Sequence, residues 1–163
     1  IGFRTPTIHR LGTSVWNATK KRAREDVVSF ARELLATYAK RAVAERPPHA
    51  ATPPLEEELA SSFAHEETPD QAAAVADVLT DMARPKPMDR LLLAAVGFGK
   101  TEVALRAAFR AVLNNGQVIV LCPTTILADQ HFETFKDRLA SFPVSVERLS
   151  RLESPREQQR ILR

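Results

Sequence analysis

Apolar residues fall on a helical period early in the chain. Val27, Phe30, Ala31, Leu34, Leu35 and Tyr38 step by threes and ones, which draws a single stripe along one helix face. Thr13 or Ser14 suits the cap, and Pro47-Pro48 ends the pattern. The spacing predicts a long linking α-helix over 15–46, ~45 Å in length at 1.5 Å per residue. A helix of that length with one apolar stripe is expected to lean on a neighbouring domain. Residues 1–14, with Pro6 and Leu11-Gly12, read as an irregular entry segment. Residues 47–54 (PPHAATPP) have linker composition and run into the acidic stretch Leu55–Ala64, so 47–64 is assigned as linker. At Thr68-Pro69-Asp70-Gln71 a new helix begins, with Thr68 at N-cap, Pro69 at N1 and Gln71 at N3. Its apolar positions Val75, Val78, Leu79 and Met82 share one face.

Beyond Arg90 the pattern alternates. Short apolar runs at Leu91–Ala94 and Gln117–Cys122, and a third segment at Val144–Leu149, read as buried strands. Helices are predicted at Thr101–Leu113, closed by Asn114-Asn115-Gly116, and at Ile126–Leu139. Ser154-Pro155-Arg156-Glu157 opens a last one. Strand alternating with helix implies an α/β fold, with a parallel sheet and right-handed crossovers.

Charge alters this picture in one respect. Residues 1–46 hold ten Lys/Arg against four Asp/Glu, residues 47–90 three against nine, and residues 91–163 ten against seven. The basic first block suits nucleic acid or an acidic partner as well as it suits a solvated helix face. Cys122 is the single cysteine, which excludes an internal disulfide and a cysteine-based zinc site, and fits a reducing, cytoplasmic setting. No apolar run reaches the ~18 residues of a membrane span. The N-terminus, Ile1-Gly2-Phe3-Arg4, has neither an initiator Met nor a signal-peptide pattern, so the chain is expected to begin inside a longer protein.

The segment with the clearest chemistry is Ala94-Ala95-Val96-Gly97-Phe98-Gly99-Lys100-Thr101. A glycine loop that follows a predicted strand and opens a predicted helix is a P-loop. Gly97 and Gly99 let backbone N–H groups turn inward around phosphate oxygens. The helix N-terminus adds partial positive charge. Lys100 is expected to reach the β- and γ-phosphates of ATP, and the Thr101 hydroxyl to ligate Mg²⁺. Val96, Phe98 and Glu102 complete the expected nucleotide-binding stretch, within which Lys100 and Thr101 carry the catalytic roles. The strict motif begins with Gly, where this chain has Ala94.

Two further places carry chemistry. Gln71 stands 29 positions before Lys100. As N3 of a capping box it has a purely structural role, yet its amide also offers one donor and one acceptor, which suit an adenine edge. Pro123-Thr124-Thr125 lies at the carboxyl end of the second predicted strand, where ligands of open α/β sheets bind. Thr124 and Thr125 suit helix capping and also suit phosphate oxygens of DNA. Gln130 and His131, one turn on, read as surface or packing residues.

The chain resembles the superfamily 2 helicase-type ATPases and, more narrowly, the bacterial transcription-repair coupling factors. The resemblance rests on Glu67-Thr68-Pro69-Asp70-Gln71, Pro87–Leu91, Val96–Ala104 (VGFGKTEVA), Arg106–Phe109 and Pro123–Ala128 (PTTILA), and on Phe142-Pro143-Val144 with Leu149-Ser150-Arg151. Leu11-Gly12 with Trp16, Lys20 and Arg22-Ala23 resembles the junction after that family's RNA-polymerase-binding domain. The resemblance implies ATP hydrolysis with Mg²⁺, translocation on double-stranded DNA, displacement of stalled RNA polymerase and recruitment of excision-repair proteins. It implies Gln71 at adenine, and Thr124, Thr125 and Arg151 near DNA. It further implies that 15–46 links a polymerase-binding domain to the motor, and that 65–163 is the first part of a RecA-like motor domain.

The chain departs from the family at Ala94-Ala95, where Gly-Asp is usual, and at Leu152-Glu153-Ser154, where Phe-Arg-Ser is usual. Glu153 thus reverses a charge near the expected DNA path. Such motors also need an acidic Asp-Glu pair and arginines from a second domain. Both lie past Arg163, so this chain by itself is expected not to hydrolyse ATP. The nearest enzymatic alternative is a RecG-like branch-migration helicase, although Ser is usual there at the place of Phe98. An alternative of another class is an adaptor with a vestigial P-loop, against which the intact Gly97-x-Gly99-Lys100-Thr101 argues.

Overall fold

The computed structural model describes residue 8 and residues 10–162. Residues 1–7 and 9 of the entry segment, Pro6 among them, lie outside the described residues. The chain divides into two units, residues 1–44 and 45–163.

The first unit is built on α1 (Ser14–Val43). The Thr13 Oγ1 accepts from the Trp16 amide at 3.3 Å, which fixes the first turn. None of its residues is buried. The apolar stripe is exposed along its length, with Phe30 at 62% and Leu35 at 68%.

The second unit is a packed set of helices: α2 (Pro53–Ser61), α3 (Pro69–Met82), α4 (Lys100–Leu113), α5 (Thr125–Leu139) and α6 (Pro155–Ile161). Helix α4 is central and has two apolar faces. Val103 and Ala111 pack with Val75, Val78 and Met82 of α3. Leu105, Ala108 and Phe109 pack with Leu59 of α2, with Phe135 and Leu139 of α5, and with Phe142. Phe109 and Phe142 meet edge to face, their ring centroids 4.7 Å apart. The stretch of linker composition therefore contains α2, whose Leu59 is among the most deeply buried residues. Residues before α2 are also held. Arg46 donates to the Met82 carbonyl at 2.8 Å, the His49 amide to the same carbonyl at 3.0 Å, and the Asn114 side chain bonds both backbone groups of Ala50.

Helix ends follow the sequence closely. Thr68 and Gln71 form the reciprocal capping box. Thr124 caps α5 and Ser154 caps α6. Asn115, with φ +58°, closes α4 in the left-handed conformation.

The α/β expectation is overturned. Among the described residues there is no strand and no parallel sheet, so the RecA-like sheet read from the sequence is absent. Segments 91–94, 117–122 and 144–149 lie between the helices without backbone hydrogen bonds to one another. An apolar run predicts burial, whereas a strand is made by a ladder of bonds to a neighbour, and no single segment encodes that partner. Burial itself is uneven. Leu92, Val144 and Val146 pack on the helices, whereas Leu91, Leu93, Ile119 and Leu121 stand 80–90% exposed. No helix among the described residues is long and apolar enough to cross a membrane.

Candidate functional site

The glycine loop leads directly into α4. Gly97 has φ +83° and Gly99 φ +67°, both in the region that favours glycine. Gly99 is the N-cap of α4, and no side chain caps that end. The first turn thus lacks the oxygen that Thr13, Thr68, Thr124 and Ser154 supply at four other helix starts. An uncapped N-terminus carries N–H groups and partial positive charge available to an anion. Lys100 Nζ turns back onto the loop and donates to the carbonyls of Ala94 (2.8 Å) and Ala95 (2.7 Å). Its ammonium is therefore already at the loop, held by two weak neutral acceptors that a phosphate can outcompete. A Cβ on Gly97 would meet nothing within 4 Å, so there is open space beside the loop. Val96 and Phe98 are exposed, and Thr101 is half-buried in the first turn of α4. Left-handed glycines, open space, a cation and an uncapped helix start fit a polyphosphate with its Mg²⁺.

Gln71 reaches the same loop. Its Oε1 accepts from the Thr68 amide at 2.8 Å, and its Nε2 donates to the Phe98 carbonyl at 3.1 Å. A Cβ on Gly99 would stand 2.4 Å from that Nε2. One amide therefore closes the cap of α3 and braces the glycine loop.

Glu102 is placed differently. Its carboxylate accepts from Arg106 Nε at 3.1 Å and from Arg138 Nη2 at 2.8 Å, and its side chain is only 9% exposed. It is engaged in an ion-pair cluster between helices.

Thr124, Thr125 and Arg151 come together. They line one cleft of about 430 Å³, with Cys122, Leu149 and Ser150. The loop carrying Arg151 is clipped to α5. Arg148 donates to Asp129 at 2.6 Å and to Glu153 at 2.7 Å, and the Ser150 amide donates to the other Glu153 oxygen at 2.6 Å. Hydrogen bonding from Ser150, against an opposing push from burial, and then from Arg148 draws the Glu153 carboxyl down to about 2. Glu153 is thus ionised and paired with Arg148, which it shares with Asp129, and it serves as the staple of the turn.

The clip and the Glu102 cluster were not legible in advance. Glu102–Arg106 is readable as an i,i+4 pair, but Arg138 is distant in sequence, and helix packing alone brings it in. Among the described residues no cluster of side chains could hold a metal ion by itself.

Comparison with known proteins adds an independent line. The DEAD/DEAH box helicase family matches residues 68–163. A transcription-repair-coupling factor of Myxococcus xanthus is 49% identical over 96% of this chain and 13% of its own length. That of Mycobacterium tuberculosis is 46% identical over 99% of this chain and 13% of its own length. That of Escherichia coli is 48% identical over 95% of this chain and 14% of its own length. The chain therefore spans about one seventh or less of the length of these curated relatives.

Proposed function

The chain belongs to the DEAD/DEAH box helicase family, and from that premise we propose that it is the ATP-binding part of a DNA translocase that displaces stalled RNA polymerase and couples transcription to excision repair. The observation that carries this reading is the loop at the start of α4. There Lys100 and the uncapped helix end converge beside two left-handed glycines. The relatives' shared name supplies the coupling role.

In this reading the loop amides from Gly97 to Thr101 cradle the phosphates, and Lys100 leaves the Ala94 and Ala95 carbonyls for the β- and γ-phosphate oxygens. Mg²⁺, held through the Thr101 hydroxyl, would neutralise charge between those phosphates. Gln71 presents its amide to adenine and exchanges its bond to Phe98 for one to the base. The cleft takes duplex DNA, with Thr124 and Thr125 at the start of α5 and Arg151 contacting phosphates. A translocase must step over any sequence, so base readout would work against it. RNA polymerase and the excision-repair proteins engage the complete protein, in a cytoplasmic setting.

The DNA half of this reading is tested with the full-length protein, titrated against salt. Arg151→Ala is expected to weaken binding equally on all sequences and to make the salt slope shallower by about one counterion. Glu153→Arg is expected to weaken binding as well, because it removes the staple that fixes Arg151. Unchanged affinity and slope in Arg151→Ala would remove this cleft from the DNA path.

The nucleotide half is tested at Gln71. Gln71→Ala should erode the preference for ATP over GTP. Gln71→Glu retains the acceptor that the Thr68 amide uses but loses the donor to Phe98. It should therefore keep most thermal stability while losing adenine preference. Two variants equally destabilised, with nucleotide preference intact, would leave Gln71 a capping residue alone.

A further inference from the structure

A run of charged side chains threads through the helices of the second unit. Glu67, directly before the α3 cap, pairs with Arg106 of α4. Arg106 Nε donates to Glu102 Oε1. Arg138, in the last turn of α5, grips the same carboxylate with two nitrogens, Nη2 to Oε1 at 2.8 Å and Nε to Oε2 at 3.3 Å. It also donates to Ser62 Oγ at 2.5 Å and to the Leu59 carbonyl at 3.0 Å, at the end of α2. The Glu102, Arg106 and Arg138 side chains are 9%, 11% and 17% exposed, so solvent and salt screen them weakly.

The position of this grip matters more than its strength. Glu102 is the residue after Thr101, in the first turn of the helix that the phosphate loop opens. Arg138 lies on α5, whose opposite end carries Thr125 and begins at Thr124 in the cleft. The apolar contacts of Phe135 and Leu139 with Leu105 and Phe109 are non-directional and tolerate sliding. A two-nitrogen grip on a carboxylate is directional and does not. Helix α5 is a rigid rod of 15 residues, ~22 Å long.

We propose that Arg138 is a positioning residue that couples the two sites: it makes α5 follow α4, so that closure of the loop on phosphate reorients Thr124 and Thr125 in the cleft. The proposal rests on the reading of loop and cleft as nucleotide and DNA sites. By linkage the effect is reciprocal, and DNA in the cleft changes nucleotide affinity by the same factor and in the same direction.

The experiment measures DNA affinity of the full-length protein for a labelled duplex, with and without adenylyl-imidodiphosphate and Mg²⁺. In the unmodified protein the analogue should change DNA affinity by a factor within about 5–150-fold. In Arg138→Met that factor should collapse towards one, while affinity for DNA alone and for the analogue alone changes little. Arg138→Lys keeps the charge but not the fork, and should retain part of the factor. A full factor in a folded Arg138→Met variant overturns the proposal. Should that variant fail to fold, a full factor in Arg138→Lys overturns it. An unmodified protein that binds both ligands with a factor of one overturns the coupling while leaving both sites intact. Failure to bind the analogue at all instead removes the reading of the loop, and the coupling with it.

Discussion

Lys100→Ala is expected to lower ATP turnover of the full-length protein by about 10²–10³-fold, the usual cost of removing one aimed charge or donor from a transition state. DNA-stimulated steady-state hydrolysis is the measurement. Two losses add here. The first is the ammonium that, in the proposed reading, meets the transferring phosphate, in a reaction where positioning and electrostatics carry nearly all the catalysis. The second is loop geometry, since the same Nζ ties down the carbonyls of Ala94 and Ala95. Lys100→Arg separates them, because a guanidinium keeps the charge but is planar and too bulky to repeat the compact contact. It should recover little turnover while retaining some nucleotide binding. Turnover near that of the unmodified protein in Lys100→Ala would place the chemistry elsewhere.

A comparably large effect on stability is expected at Arg110. It is the one charged residue among the buried side chains described, at 7% exposure. Its Nε donates to Glu56 Oε1 at 2.9 Å, its Nη2 pairs with the other Glu56 oxygen, and its Nη1 donates to the Leu79 carbonyl at 2.9 Å. One guanidinium so joins α2, α3 and α4. Arg110→Met leaves the mostly buried Glu56 carboxylate with only the Thr52 amide, at 3.0 Å, from the present set of partners. Breaking such a pair from one side costs about 3–5 kcal/mol. That is a large part of the about 5–15 kcal/mol that holds a domain folded. Urea denaturation at neutral pH reads it directly, and an unchanged midpoint would show that the pair contributes little.

Acid gives a second reading of the same pair. Burial pushes the Glu56 carboxyl up, but the Arg110 hydrogen bond, the Thr52 amide and the Arg110 charge more than offset it, so the net shift is downward from 4.5. The contribution is therefore complete above the unfolded value near 4.5 and is lost as pH falls through the lower folded value. Glu56→Gln should remove that component of the acid transition.

The sequence carried the helices well because their signals are local. Thr68, Thr124, Ser154 and Asn115 each act on backbone groups within one turn, so spacing alone places them. The local geometry of the glycine loop was legible for the same reason: its two glycines and Lys100 lie within a few residues of one another. Helix α2 was missed because Pro53-Pro54 and a run of glutamates read as linker. What makes it a folded element is Leu59 against Phe109 and Glu56 on Arg110, both contacts distant in sequence. The three expected strands failed for the converse reason. Their apolar character is local, but a strand depends on a partner that the segment does not encode. Arg138 and Glu153 show the limit at the site itself. Glu153 reads from sequence as a charge near the expected DNA path and Arg138 carries no local signal, and each meets its partner, Arg148 or Glu102, only in the folded chain.

The bare runs around the phosphate loop also bear on the handling of the protein. Gln117–Cys122 is six residues without charge, proline or glycine, rich in β-branched side chains, with Ile119 80% and Leu121 90% exposed. Such a stretch, with its backbone unbonded, is a template on which a second molecule can zip edge to edge, and stacking of many copies gives amyloid-like fibres. Charge stands well away on both sides, at Arg110 before the run and Asp129 after it, so Pro123 is its one adjacent gatekeeper. Keeping this chain in solution is therefore a matter of low concentration, because folding of the helices leaves that run uncovered.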